Sequence, residues 1–252
     1  MKIYALSDPH LAFSTPEKEM EKFGEVWNDH PTKIKQFWSR SISDNDVVLI
    51  SGDISWAKKF KSALADLLWL DALPGKKVIL KGNHDIWWPK PNVIDKRLLK
   101  SIHIIRNNCV QIGKVVFFGT RLWDTVEYSC DEIVKWDPHK GKINRKKNSE
   151  ELIRQEKIYN RELQRLELSI QSIPVDPTLL KIGVSHFPPL SHELKPTRAS
   201  QLFSQAGARH VVFGHLHSLK TGGPYFGFLD GIQYHLTSGD YLKFIPKLIC
   251  IV

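Results

Sequence analysis

The stretch Val47-Val48-Leu49-Ile50-Ser51-Gly52-Asp53 joins a β-branched apolar run to a glycine and a carboxylate. A run of this kind reads as a short strand, and Asp53 then stands just past its carboxyl end. The same arrangement recurs along the chain. Lys2–Leu6 precedes Asp8-Pro9-His10, and Lys77–Leu80 precedes Gly82-Asn83-His84-Asp85. Leu180–Val184 precedes Ser185-His186, and Val211–Phe213 precedes Gly214-His215-Leu216-His217. Further strands are predicted over His103–Ile105, Val115–Phe118, Gln233–Leu236 and Lys247–Val252.

Helical spacing of apolar residues fills the intervals. Lys58–Leu70 carries Phe60, Leu64, Leu67 and Leu68; Asn148–Gln171 carries Leu152, Ile158, Leu163, Leu166 and Ile170; Arg198–Gln205 is a shorter case. Strands alternating with helices indicate a layered α/β fold. Phe13–Ser43 reads as helical in its second half, around Ile34–Trp38. Val126–Asn148, with Lys140, Lys142, Arg145, Lys146 and Lys147, reads as a solvated basic loop. Without repeats, low-complexity tracts or a linker, residues 1–252 are expected to form one domain, long enough to build a core without covalent staples.

Hydrophobic content of 42% and charged content of 25% are those of a soluble globular protein. Cys109, Cys130 and Cys250 are scattered, with no C-x-x-C pair, which argues against a disulfide framework and a thiolate zinc site and fits a reducing cytoplasm. The opening Lys2-Ile3-Tyr4-Ala5-Leu6 is too short for a signal segment, and no apolar stretch reaches membrane-spanning length, so a cytoplasmic protein is expected. A net charge of +9 favours anionic partners, foremost phosphorylated small molecules. No recognised nucleic-acid motif accompanies the charge, which argues against specific nucleic-acid binding. Nothing in the sequence specifies an oligomeric state.

Ligands of open α/β sheets gather at the carboxyl ends of strands. Five such ends would deliver two Asp, one Asn and five His to one edge: Asp8, His10, Asp53, Asn83, His84, His186, His215 and His217. Imidazole and carboxylate suit zinc, iron, manganese or cobalt ions. A carboxylate can bridge two cations, and an amide oxygen completes a hard site without adding charge. Two ions ~3.5–4 Å apart can grip a phosphate. Glycine before Asp53, Asn83 and His215 would permit the tight turns that aim these side chains inward. A lone Asp-x-His or Gly-Asp carries little weight, and a single buried His is more often a core residue than a ligand. The ordered set of five, each after an apolar run, is hard to obtain by accident.

The series resembles the calcineurin-like metallophosphoesterase superfamily, whose pattern is Asp-x-His, Gly-Asp, Gly-Asn-His-Asp/Glu, Gly-His and Gly-His-x-His. The matching motifs run from Asp8 to His217. A bacterial subgroup of predicted phosphohydrolases is similar in further stretches: Gly52-Asp53-Ile54-Ser55-Trp56-Ala57, Lys81-Gly82-Asn83-His84-Asp85 with Trp87-Trp88, Gly119-Thr120-Arg121 and Asp240-Tyr241-Leu242. The resemblance implies an αββα sandwich of two mixed β-sheets flanked by helices. It implies two divalent or mixed-valence ions (Mn, Fe, Zn or Co), one held by Asp8, His10, Asp53 and His217 and the other by Asp53, Asn83, His186 and His215. His84 would face the substrate phosphate and assist the leaving oxygen, oriented by Asp85. The reaction would be attack on phosphorus by a metal-bound hydroxide, on a small phosphodiester or nucleotide-type substrate. A non-catalytic binding or scaffold protein and a nuclease are the alternatives. Retention of all seven ligands and His84 weighs against the first. A length of 252 residues leaves the second little room for DNA-binding domains.

Two residues depart from the pattern: Ser185 replaces the usual Gly before His186, and Pro9 sits between Asp8 and His10. Ser is small enough that His186 is still expected to reach a metal, and Pro9 removes an N–H and holds Asp8 extended. Arg121, just past a strand end, is a candidate for bidentate phosphate binding, with a surface salt bridge as the plainer reading. Trp87 and Trp88 follow the third motif, and one of them is a candidate for stacking on a nucleobase while the other packs in the core. His30, His103, His139, His192, His210 and His235 match no motif position, and His192, in a loop near the site, is the hardest to set aside.

Overall fold

The strand β1 (Lys2–Ala5) is followed by α1 (His30–Ser41), β2 (Val47–Ile50), α2 (Phe60–Asp71), β3 (Lys76–Ile79), β4 (Ile102–Ile104), β5 (Cys109–Ile112) and β6 (Val115–Thr120). Then come α3 (Ser149–Gln171), β7 (Leu180–Ser185), α4 (Arg198–Gln205), β8 (His210–Phe213), β9 (Phe228–Leu229), β10 (Ile232–Leu236) and β11 (Lys247–Ile251). This computed structural model describes residues 1–18, 20–90, 99–135 and 149–252. Of the predicted basic loop, residues 136–148 lie outside the described residues; before them Asp131–Ile133 form a single 3-10 turn.

The strands form two mixed sheets. One has the order β11-β1-β2-β3-β4, and the other β5-β6-β7-β8-β10-β9. The inner pairings are parallel, while β11, β5 and β9 pair antiparallel at the margins. Period-two alternation explains how the sheets pack. Ile3, Ala5, Val47, Leu49 and Val78 on one sheet meet Val115, Phe117, Ile182, Val184 and Val212 on the other, forming a central core. Their neighbours in sequence point outward. Tyr4, Val48 and Ile50 pack with Ile34 and Trp38 of α1 and Leu67 and Leu70 of α2. Phe118, Val211 and Phe213 pack with Tyr159 and Leu166 of α3 and Phe203 of α4. The result is helix, sheet, sheet, helix: the αββα sandwich implied by the sequence.

The differences from the predicted elements have local causes. The two short strands β5 and β9 were not predicted. β5 carries polar Gln111 and pairs with β6 through a turn at Gly113-Lys114, a two-residue hairpin connection with positive φ at Gly113. In α2, Leu67 is buried as the predicted stripe requires, but Leu68 is exposed and Asp66 is buried. Asp66 accepts a hydrogen bond from Phe13 N (2.9 Å) and another from Ser55 Oγ, so it ties together the loops that leave β1 and β2. Ahead of α1 the chain makes two 3-10 turns, Glu21–Phe23 and Glu25–Trp27. Trp27 from the second reaches the site edge. No helix among the described residues is long and apolar enough to cross a membrane.

Candidate metal centre

The loops leaving β1, β2, β3, β7 and β8 converge, and the seven predicted ligands come together there. Asp53 is central. Its Oδ2 lies 3.8 Å from His10 Nε2 and 3.5 Å from His186 Nε2, while its Oδ1 accepts the backbone N–H of His84 at 2.8 Å. On one side Asp8, His10 and His217 offer ligand atoms within 4.8 Å of one another; Asp8, Asp53 and His186 do the same. On the other side Asn83 Oδ1 sits 2.6 Å from His186 Nε2 and 3.1 Å from His215 Nδ1.

Hydrogen bonds outside this ring set the tautomers inside it. His186 Nδ1 faces the Ser51 carbonyl at 2.8 Å, and a carbonyl only accepts. Nδ1 therefore carries the hydrogen, and Nε2 is left with its lone pair turned toward Asn83 Oδ1. His217 Nδ1 donates to Asp240 Oδ1 at 2.8 Å, which turns its Nε2 toward His10 Nε2 at 3.3 Å. Asp240 is held in turn by Ser218 N at 2.9 Å. Such outer partners fix imidazole orientation at metal sites. Asp8 Oδ2 accepts His215 N at 3.0 Å, while Asp8 Oδ1 is buried with no hydrogen-bond partner among the described residues.

Electrostatics follow from burial. Burial pushes the Asp8 carboxyl up to about 8, opposed by the nearby His217 and reinforced by Asp53. It drives His186 down to about 3 and His10 and His215 well below the ordinary imidazole value, so these rings are neutral and able to donate lone pairs. At His217 burial also pulls downward. The hydrogen bond and charge of Asp240, with Asp8 and Asp53, outweigh it and hold the ring at about 9. The acids thus favour a positive charge at this ring. Two carboxylates, an amide oxygen and four imidazoles, with the His186 Nε2 lone pair facing Asn83 Oδ1 and a carboxylate oxygen unpartnered, fit divalent metal ions.

The backbone here is strained. Asp8, His10, Asp53 and His215 have φ of 55°, 44°, 51° and 70°, so Asp8 is left-handed and not extended as Pro9 predicts. Left-handed conformations at non-glycine residues cost ~1–3 kcal/mol each and cluster at functional sites. Two glycines act through lack of bulk more than through turn geometry. A Cβ on Gly82 would stand 2.0 Å from Asp53 Oδ1, and one on Gly214 would stand 2.2 Å from Asp8 Oδ2. His30, set aside on sequence, has its Nε2 3.0 Å from the carbonyl of Pro9 and so supports the Asp8-Pro9-His10 turn. Ser185 is buried, donating to the Phe187 carbonyl at 2.9 Å, and leaves His186 in place.

His84 is exposed, its ring 4.6 Å from Trp56 and 5.7 Å from His10 between centroids. Asp85 does not give it the orienting hydrogen bond implied by the resemblance. Asp85 Oδ1 accepts from Ile54 N (2.9 Å), Ser55 N (3.2 Å) and Trp87 Nε1 (2.9 Å), and Oδ2 accepts from Gly82 N (2.8 Å). It clasps the β2 and β3 loops together. Trp87 is 3% exposed and bound to Asp85, so it is a core residue and not a stacking platform. Trp88 is partly buried against the same core, 5.1 Å from Trp87. The aromatic residue beside His84 is Trp56, which sequence reasoning did not single out, although it lies three residues after Asp53. Asp240 was likewise missed as a partner of His217. Arg121 lies next to the site, its carbonyl accepting His186 N at 3.2 Å. His192 lies apart, beside Glu132 and Glu193.

The profile of the family described as calcineurin-like phosphoesterase matches residues 1–219. The chain belongs to that family. Its members are metal-dependent phosphoester hydrolases, in agreement with the donor set above. Among curated proteins, the uncharacterized protein MJ1445 of Methanocaldococcus jannaschii is 34% identical over 95 residues, covering 37% of this chain and 52% of that protein. The gene 66 protein of Mycobacterium phage D29 is 31% identical over 83 residues, covering 33% and 40%. This chain therefore spans about half the length of the curated relatives it matches, or less. Among solved structures, phosphopantetheinyl hydrolase from Mycobacterium tuberculosis superposes with a TM-score of 0.51 at 13% identity, over 100% of this chain and 96% of that one. At that identity the likeness is one of fold.

Proposed function

We propose that this chain hydrolyses a phosphate ester at a dinuclear metal centre, with Asp8, His10, Asp53 and His217 holding one ion and Asp53, Asn83, His186 and His215 the other. The position of Asp53 carries the reading: one carboxylate oxygen faces histidines from both halves of the site, at 3.8 and 3.5 Å. When bound, a metal pair supplies Lewis acidity toward the phosphoryl oxygens and a nucleophile active at neutral pH.

The chain's own groups do the rest. Ser51 fixes the tautomer of His186, so that its Nε2 lone pair faces the ions, and Asp240 orients the His217 ring so that Nε2 points into the site. Asp53 holds His84 by its backbone N–H, and Trp56 supports the exposed imidazole from one side. From there the ring can deliver a proton to the departing oxygen of the ester. The basic surface draws in the anion. The preferred substrate class is a small phosphodiester or nucleotide-type ester.

Elemental analysis of purified protein, combined with turnover of bis(p-nitrophenyl) phosphate and p-nitrophenyl phosphate, tests this reading. Two ions per chain with faster turnover of the diester are expected. A protein that binds metal but turns over neither ester would overturn the hydrolytic reading.

A further inference from the structure

Beside the metal centre, on the Asn83/His186/His215 side, the chain concentrates positive charge that the chemistry above does not use. Its anchor is Glu162 on α3, whose side chain is 1% exposed. Glu162 accepts hydrogen bonds from Thr120 Oγ1 (2.9 Å), Arg121 (3.3 Å) and Arg165 (2.7 Å), and Arg161 comes within 3.9 Å. Lys81 lies within electrostatic reach of Arg121 and Arg165. Glu162 thus stands against three guanidiniums, and Lys81, which is also near Asp85, adds an ammonium.

A single arginine with Thr120 would suffice to satisfy the buried Glu162. The surplus cations repel one another, and they are placed where a ligand can reach them. Arg161 and Arg165 are 55% and 43% exposed, one helical turn apart on α3. Arg121 Nε is buried and, among the described residues, has no hydrogen-bond acceptor. The cluster adjoins the centre through a train of rings. The Arg121 guanidinium lies 4.5 Å from Trp123, Trp123 packs on Phe187 at 5.0 Å, and Phe187 lies 3.9 Å from His215. Lys81 is two residues from Asn83.

We propose that Lys81, Arg121, Arg161 and Arg165 form a subsite for a second phosphate group, so that the substrate is a bisphosphorylated small molecule with one phosphate at the metal ligands and the other on the arginines. The assignment rests on the phosphoesterase reading and narrows its substrate class. Guanidiniums bind phosphate bidentately, and the partly exposed Trp123 ring beside Arg121 offers an apolar face for the part of the substrate that joins the two phosphates.

The test uses metal-loaded protein turning over bis(p-nitrophenyl) phosphate, inhibited by alkyl monophosphates or by alkanediol bisphosphates of graded chain length. At the best chain length the bisphosphate is expected to bind about tenfold or more tighter than the monophosphate, given charge-assisted pairing at the second site. In the Arg161→Gln/Arg165→Gln variant, altered only at exposed positions, that gap should collapse while the monophosphate constant stays put. Equal inhibition by both classes in the wild type, or a gap unchanged in the variant, would overturn the subsite. Absence of both turnover and monophosphate binding would overturn the phosphoesterase reading itself, and the subsite with it.

Discussion

His217 Nδ1 lies 2.8 Å from Asp240 Oδ1, and this bond turns the opposite nitrogen of the ring toward His10 and the carboxylates of Asp8 and Asp53. Asp240 touches no other predicted ligand by hydrogen bond, yet it determines which atom His217 presents.

Replacing Asp240 by Asn or Ala is accordingly expected to weaken the Asp8/His10/His217 half of the centre without emptying the other. Losses of outer partners of this kind cost ~10–100-fold in metal affinity or activity. Competitive titration with a metal chelator measures the effect directly. Unchanged affinity of both ions in Asp240→Ala would show that the bond is ornamental.

His84 makes its side-chain approaches to Trp56 and His10 only through ring faces and edges, and its backbone, not its imidazole, contacts Asp53. His84→Gln should therefore keep full metal content and lose ~10²–10⁴-fold in rate. The deficit should shrink for esters with acidic leaving groups, which need little protonation. Loss of metal in this variant would make His84 a ligand.

Asp85 is expected to behave as a structural residue. Its removal strands Ile54 N, Ser55 N, Gly82 N and the Trp87 indole N–H in a buried place. Unsatisfied buried donors cost ~1–3 kcal/mol each, so Asp85→Ala should lower stability by several kcal/mol in urea denaturation. A variant as stable as the wild type but slow in turnover would restore the orienting role toward His84.

Gly214→Ala separates the need for space from the need for a turn. The added methyl would stand 2.2 Å from Asp8 Oδ2 and displace the carboxylate that binds His215 N. The variant should fold with reduced stability and lose metal, as shown by a melting curve paired with elemental analysis. Full metal content would mean that Asp8 has room to move and still coordinate.

The sequence carried the architecture because each site loop follows an apolar run, and alternation such as Ile3/Tyr4/Ala5 then sorts side chains between the central and outer cores. The same strand ends bring eight polar side chains to one edge, and the family resemblance picks out the seven proposed as ligands. What the sequence could not show were contacts set by tertiary packing. Asp66 of α2 is outside the apolar stripe yet is buried against two site loops. Sequence position left open which of Trp87 and Trp88 packs in the core; the chain turns Trp87 inward onto Asp85, and Trp56 takes the place beside the imidazole. Asp240 stands 23 residues from His217, and no spacing rule links them.

Asp53 is where both halves of the proposed centre meet, and metal stoichiometry of Asp53→Asn is the most direct test. The carboxamide keeps the size of the side chain and removes the shared charge. Elemental analysis should find two ions per chain in the wild type and both depleted in Asp53→Asn, with turnover abolished. Full occupancy in that variant, or loss of one ion with the other intact, would contradict a shared carboxylate and the dinuclear centre built on it.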